Sequence, residues 1–118
     1  MDESTSSRLD ACAARSARLH PGLRFLFEGR TPALLAPMSG VNDIVFRRLC
    51  LEQGCDLTYT EMISSKALSF ANEKTRHLLD LAEGERRVAI QLFGHEPEVM
   101  AREAAWVEDE LGDALALI

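Results

Sequence analysis

The 118 residues carry 13 Lys+Arg against 19 Asp+Glu, a formal net charge of −6, with 47 % hydrophobic and 27 % charged residues. A chain of that length accommodates at most one domain, and its apolar share excludes an intrinsically disordered polypeptide. The acidic total excludes a free-standing nucleic-acid binder, which needs a broad cationic face for phosphates, so any RNA contact must be local or come from elsewhere. Cys12, Cys50 and Cys55 are odd in number and lack CxxC spacing. Neither a disulfide framework nor a metal site is indicated, and a reducing cytoplasm fits best.

Met1 to Ser7 is acidic and hydroxylated with no apolar run after it, which excludes a secretory signal, and no stretch suits a membrane span. Arg8, Arg15 and Arg18 among alanines and serines suggest a transit peptide, but Asp2, Glu3 and Asp10 among them argue against one. Residues 1–22 are expected to be a mobile leader ending near His20-Pro21-Gly22.

From Leu23 the hydrophobic period alternates between strand-like runs and helix-like stripes, the pattern of an α/β chain with a largely parallel sheet. Leu23 to Phe27 reads as a strand, Glu28-Gly29-Arg30 as its turn and Ala33 to Ala36 as a buried strand stopped by Pro37, a short β-hairpin. Asn42 or Asp43 can cap a helix whose Val45, Phe46, Leu49 and Cys50 share one face, with Gly54 at its left-handed end. Leu57 to Thr60 is a further strand. After Glu61-Met62, the serines at 64 and 65 can cap a helix through Lys66, Leu68 and Phe70.

Asn72 to Leu81 carries a second short helical pattern, and Gly84 precedes Val88 to Phe93, an apolar strand interrupted only by Gln91. Pro97 opens the clearest helix, with Met100, Ala104, Val107 and Leu111 as its buried stripe and Gly112 as its stop. Ala114 to Ile118 begins another strand. Such a run belongs either to an open doubly wound sheet or to the first half of a (β/α)8 barrel, and periodicity alone does not choose. A complete barrel takes about 250 residues, so there is room for roughly half. Ala36-Pro37-Met38-Ser39-Gly40-Val41 lacks the GxGxxG turn of a dinucleotide-binding fold.

In a parallel barrel the C-terminal strand ends share one face, which would bring together Pro37-Met38-Ser39-Gly40, Glu61-Met62 and Gln91. A buried glutamine offers a donor and an acceptor to the flat edge of a heteroaromatic ring, or else satisfies a neighbouring backbone group; both readings stand. Glu61 is either a general base or a carboxylate supporting a loop. Lys66 could reach a phosphate or be solvated, and of the three histidines only His95 falls near a strand end. No Ser/His/Asp set, P-loop or HExxH occurs.

Leu35-Ala36-Pro37-Met38-Ser39-Gly40-Val41-Asn42-Asp43, Phe46-Arg47-Arg48-Leu49-Cys50, Thr60-Glu61-Met62, Asn72-Glu73-Lys74-Thr75, Gln91-Leu92-Phe93-Gly94 and Pro97-Glu98-Val99-Met100 follow one another in a telling order. Together, from about Leu23 to Gly112, they resemble the opening of tRNA-dihydrouridine synthases, most closely the bacterial NifR3-like branch. The resemblance implies an FMN-binding TIM barrel over residues 23–118, cut off after the start of its fourth strand. It further implies reduced nicotinamide, usually NADPH, as hydride source and tRNA uridine as substrate. By the same likeness Pro37, Met38 and Ser39 would lie against FMN, Ser39 replacing the usual alanine, and Gln91 would bond the isoalloxazine edge.

The family's Asn-Met-Gly-Cys-Pro segment, whose cysteine protonates uridine C5, has no counterpart in these 118 residues, nor do its later-strand lysine and histidine, its phosphate loops or its helical RNA-binding domain. Cys12, Cys50 and Cys55 do not match that motif, so no catalytic residue is assigned, and the chain alone is expected to be inactive. The other expectation, from a different class, is a non-enzymatic truncated or frameshifted product that self-associates through open sheet edges. A barrel resembling dihydroorotate dehydrogenases is disfavoured by the stretches at 72–75 and 91–94.

Overall fold

The computed structural model describes residues 21–118; the leader expected over 1–22 lies outside the described residues except for Pro21 and Gly22. Two compact units part between Ala33 and Leu34. In the first, Pro21–Phe27 is a 3-10 helix, which corrects the expected hairpin. A strand must send every other backbone group to a neighbour, whereas a 3-10 turn satisfies its groups locally, and Pro21 fixes the φ that starts one.

The second unit is built on parallel pairing. Leu34 forms an isolated parallel bridge with Leu57, and the Leu35 N–H donates to the Leu57 carbonyl at 2.9 Å. The strand expected at Ala33 to Ala36 is thus reduced to one bridge. Next come α1 (Ile44–Glu52), β1 (Thr58–Ser64), the short helices α2 (Ser65–Ser69) and α3 (Glu73–Arg76), a 3-10 turn His77–Leu79, β2 (Val88–Phe93), α4 (Pro97–Leu111), a 3-10 turn Gly112–Ala114 and β3 (Leu115–Leu117). The sheet order is β1-β2-β3, all parallel.

With the bridge at Leu34, four successive segments lie side by side in chain order. A doubly wound sheet reverses beside its first strand, giving 3-2-1-4 or 2-1-3-4, so its first four strands do not lie side by side in chain order. Continuous order is that of a barrel wall. The fold is mixed α/β and corresponds to the N-terminal part of a TIM barrel.

Local chemistry explains the helix limits. Asp43, not Asn42, caps α1, accepting from the Phe46 N–H at 2.8 Å. At the other end the Gly54 N–H donates to the Leu51 carbonyl and the Cys55 N–H to the Cys50 carbonyl, both at 3.0 Å. This is a Schellman closure, with Gly54 at φ 92 where a side chain would be strained. Ser64 caps α2 through the Ala67 N–H, and Asn72 caps α3 through the Lys74 N–H.

The core lies on the helix side of the sheet: Ile63, Val88 and Ile90 meet Leu68, Leu79 and Val107, with Leu78, Leu92, Trp106, Leu111 and Leu115 packed around them. Of the stripe expected on α4, Val107 is fully buried while Met100, Ala104 and Leu111 are half-buried, and Glu103 is buried beside them. The face expected to bury α1 does not do so: Val45 and Leu49 are 62 % and 52 % exposed, Phe46 and Cys50 are half-buried, and the one buried residue is Arg47.

Candidate functional site at the strand ends

The site begins with a register change. Thr58 pairs with Val88 and Tyr59 with Ala89, but the next partners are Met62 and Gln91, so β1 carries one extra residue there. Paired residues face the same side of a sheet, and one inserted residue reverses the alternation beyond it. Thr58 shares a side with Val88, and without the bulge Met62 would too. With it, Met62 stands beside Gln91 on the opposite side, and Ile63 reaches the core.

Gln91 is half-buried, but its Oε1 is buried and has no hydrogen-bond partner. A buried acceptor without a donor costs about 1–3 kcal/mol. Such an atom at a strand end marks a place where a ligand N–H would be favourable. Asn42 Oδ1 is the other such atom among the described residues.

The segment Pro37-Met38-Ser39 reaches the same end of the sheet through a tight turn. The N–H groups of Val41 and Asn42 both donate to the Met38 carbonyl, at 3.2 and 3.1 Å. Gly40 sits at φ 73, a conformation that favours glycine. Its N–H donates to Glu61 Oε2 at 2.6 Å. The Asn42 amide donates to the carbonyls of Ala36, at 2.8 Å, and Tyr59, at 2.9 Å. Both tethers join the turn to β1. Pro37 is half-buried, while Met38 and Ser39 are exposed.

Beneath this turn lies a polar knot that sequence reasoning missed. Arg47 donates through Nε and Nη2 to the two carboxylate oxygens of Glu85, each at 3.0 Å, with both side chains buried. The same guanidinium donates to the carbonyls of Asn42 and Asp80. Glu85 also accepts from the Thr58 hydroxyl and the Ala82 N–H. Burial pushes the Glu85 carboxyl up, but the hydrogen bonds from Arg47, Thr58 and Ala82 and the Arg47 charge outweigh it, leaving it below the ordinary carboxylate range. The available signal was an arginine among the apolar residues of a short helix.

Other candidates stand apart. Glu61 supports the turn through Gly40, which is the loop-supporting alternative. Lys66 pairs with Glu96 at 2.7 Å, and that contact leads the causes lowering the Glu96 carboxyl. The His95 side chain is 92 % exposed. An open cleft of about 390 Å³ bordered by Arg76, Leu79, Trp106 and Leu111 contains none of the strand-end residues. Among the described residues no group of three or more His, Cys, Asp or Glu could hold a metal, and no helix is long and apolar enough to cross a membrane.

Parallel strands in chain order, with unsatisfied and exposed groups gathered at their C-terminal ends, define part of a barrel of the kind that holds its ligand at that end. Residues 34–116 match the family described as Dihydrouridine synthase (Dus), and the chain belongs to that family. It is 40 % identical over 74 residues to a probable tRNA-dihydrouridine synthase of Treponema pallidum, covering 63 % of this chain and 22 % of that protein. A counterpart from Aquifex aeolicus is 40 % identical over 78 residues, covering 66 % of this chain and 24 % of the relative. The tRNA-dihydrouridine synthase B of Escherichia coli is 36 % identical over 87 residues, 73 % of this chain and 26 % of its own length. The chain therefore matches about a quarter of the length of these curated relatives.

Proposed function

We propose that this chain supplies the flavin floor of a tRNA-dihydrouridine synthase, an oxidoreductase of tRNA processing. The observation that carries the reading is Gln91 Oε1, a buried acceptor without a donor at the strand end. The pyrimidine edge of an isoalloxazine presents an N–H between two carbonyls, which suits the amide of Gln91. Met62 beside it and Met38 on the neighbouring turn are 44 % and 38 % exposed, soft apolar surface for a planar ring, with Pro37 and Ser39 completing the segment. FMN would be the group held. When bound and reduced by NADPH, it supplies hydride for the uridine ring.

The protein's own contribution is to hold and orient the ring. The Gln91 amide would fix its polar edge, and Pro37 to Ser39 would keep water from one side. No proton donor for uridine is assigned to these 118 residues, and a positioned acid is worth roughly 10²–10⁴ in rate. No tRNA-holding group is assigned to these residues either, and orientation contributes several further powers of ten. The domain reading stays as proposed, a leader over 1–22 and a partial FMN-binding barrel over 23–118, working in the cytoplasm. Self-association is the second reading, through open sheet edges and through the apolar face of α1, where Ile44, Val45 and Leu49 are exposed.

Two measurements test this. Titration of the chain with FMN, followed by flavin fluorescence, is expected to give weak but saturable binding, reduced about tenfold in Gln91→Ala, the equivalent of one good hydrogen bond to the ring. Equal binding by both proteins refutes the site. Expressed alone in a strain without its own synthases, the chain is expected to leave tRNA without dihydrouridine by mass spectrometry; restored dihydrouridine refutes the absence of a proton donor.

A further inference from the structure

Among the described residues Glu61 is the one acidic side chain shown bonded to the turn that carries Pro37, Met38 and Ser39, and its bond crosses 21 positions of sequence to reach the Gly40 N–H at 2.6 Å. That is shorter than an ordinary N–H···O bond, the direction in which a charged acceptor acts. The β1 bulge falls between Tyr59 and Met62 and so includes Glu61. Bulges commonly re-aim a side chain next to a functional site. The same bulge sets Met62 beside Gln91. One irregularity of β1 therefore governs both the tether on the turn and the neighbour of the glutamine.

The turn is held from its other side by Asn42, which is fully buried and bonds Ala36 before the turn and Tyr59 on β1. Asn42 in turn gives its own carbonyl to the buried Arg47. Asn42 anchors the base of the turn and Glu61 its tip. Without Glu61 the tip would retain only its internal bonds to the Met38 carbonyl. Those bonds preserve the turn's shape but do not set its height above β1.

We propose that Glu61 is a positioning residue: by taking the Gly40 N–H it sets Pro37-Met38-Ser39 at a fixed height relative to Met62 and Gln91, so that a flavin ring meets a floor already in place. One Glu61 oxygen is committed to the Gly40 N–H, which is the contact this positioning role requires. Preorganisation of this kind acts on affinity and on the ring's surroundings more than on global stability. The inference rests on the flavin reading above.

The test compares wild type with Glu61→Ala, Glu61→Asp and Glu61→Gln in three readouts: FMN affinity, the visible spectrum of bound FMN, and hydrogen exchange of the peptide containing Gly40. Glutamine keeps an acceptor at the same reach, and its FMN affinity is expected within about threefold of wild type because a neutral acceptor replaces a charged one. Alanine and the shorter aspartate are expected to bind about tenfold more weakly, with a shifted flavin spectrum and faster exchange around Gly40. If the alanine variant does not fold, the aspartate variant carries the comparison. Wild-type affinity and spectrum in a folded alanine or aspartate variant, alongside faster Gly40 exchange, would overturn the positioning role and leave the flavin site standing. No FMN binding by wild type at millimolar FMN would overturn both.

Discussion

Helices α1 and α4 are equally amphipathic in sequence, yet they are held by opposite chemistries. On α4 the apolar stripe does what periodicity says, and Val107 is buried against Ile63, Val88 and Ile90. On α1 the apolar residues Ile44, Val45 and Leu49 stay 44–62 % exposed, and the residue driven inward is Arg47. A hydrophobic stripe identifies the face that could be buried, but burial needs a partner surface. Where that is absent, α1 is fastened by directed hydrogen bonds to Glu85, Asn42 and Asp80. Such a fastening is intolerant, because removing one partner leaves a charge buried alone.

The largest effect should come from breaking that knot. Arg47→Ala is expected to cost about 3–5 kcal/mol in urea unfolding, since Glu85 would keep its burial and lose its counter-charge. Arg47→Met together with Glu85→Leu, which removes both charges, should recover much of that loss. A loss for Arg47→Ala below 1 kcal/mol would mean that α1 is held by something else.

Val107→Ala, the matching change on α4, removes two methyl groups from a closed core and is expected to cost about 2 kcal/mol through transfer and cavity terms. Unlike Arg47→Ala, its cost should not depend on acid.

Acidification sharpens the contrast further. The folded-state Glu85 carboxyl lies below its ordinary 4.5, so its stabilisation is fully present above the unfolded value and is lost as pH falls through the folded one. Urea midpoints of wild type are therefore expected to drop as pH falls below the ordinary carboxylate value of 4.5, and Glu85→Gln should start lower and fall less over the same range. A parallel decline in both proteins would separate the acid sensitivity from Glu85.

The smallest effect belongs to the exposed stripe. Leu49→Gln should change stability by no more than about 0.5 kcal/mol, the range for a surface position. A loss like that of Val107→Ala would show that the α1 stripe is covered in solution. Sedimentation of wild type beside Leu49→Gln would then identify a second copy as the cover if the association weakens.

Much of the chain was legible in order and kind. Pro97 and Gly112 bracket α4, and the apolar run Val88 to Phe93 is β2, because these limits depend on backbone chemistry and local periodicity. Leu23 to Phe27 was not legible, since a short apolar run suits a strand or a tight helix equally and only the presence of a ladder partner decides. At the candidate site the sequence offered Pro37, Met38, Ser39 and Gln91, but not the β1 bulge that stands Met62 next to Gln91. A one-residue insertion has no signature in residue type; it appears only in the pairing.

By itself the sequence determined the alternation of helices and strands from Ile44 onward, the Pro97 and Gly112 limits of α4 and the family, for each rests on neighbours in the chain or on an ordered set of motifs. Tertiary structure alone decided which way the sheet grows, that Glu61 serves Gly40, and that Arg47 and Glu85, 38 positions apart, are buried as a pair. Those outcomes depend on contacts between distant segments. A carboxylate or guanidinium carries no local mark of the partner that will neutralise it.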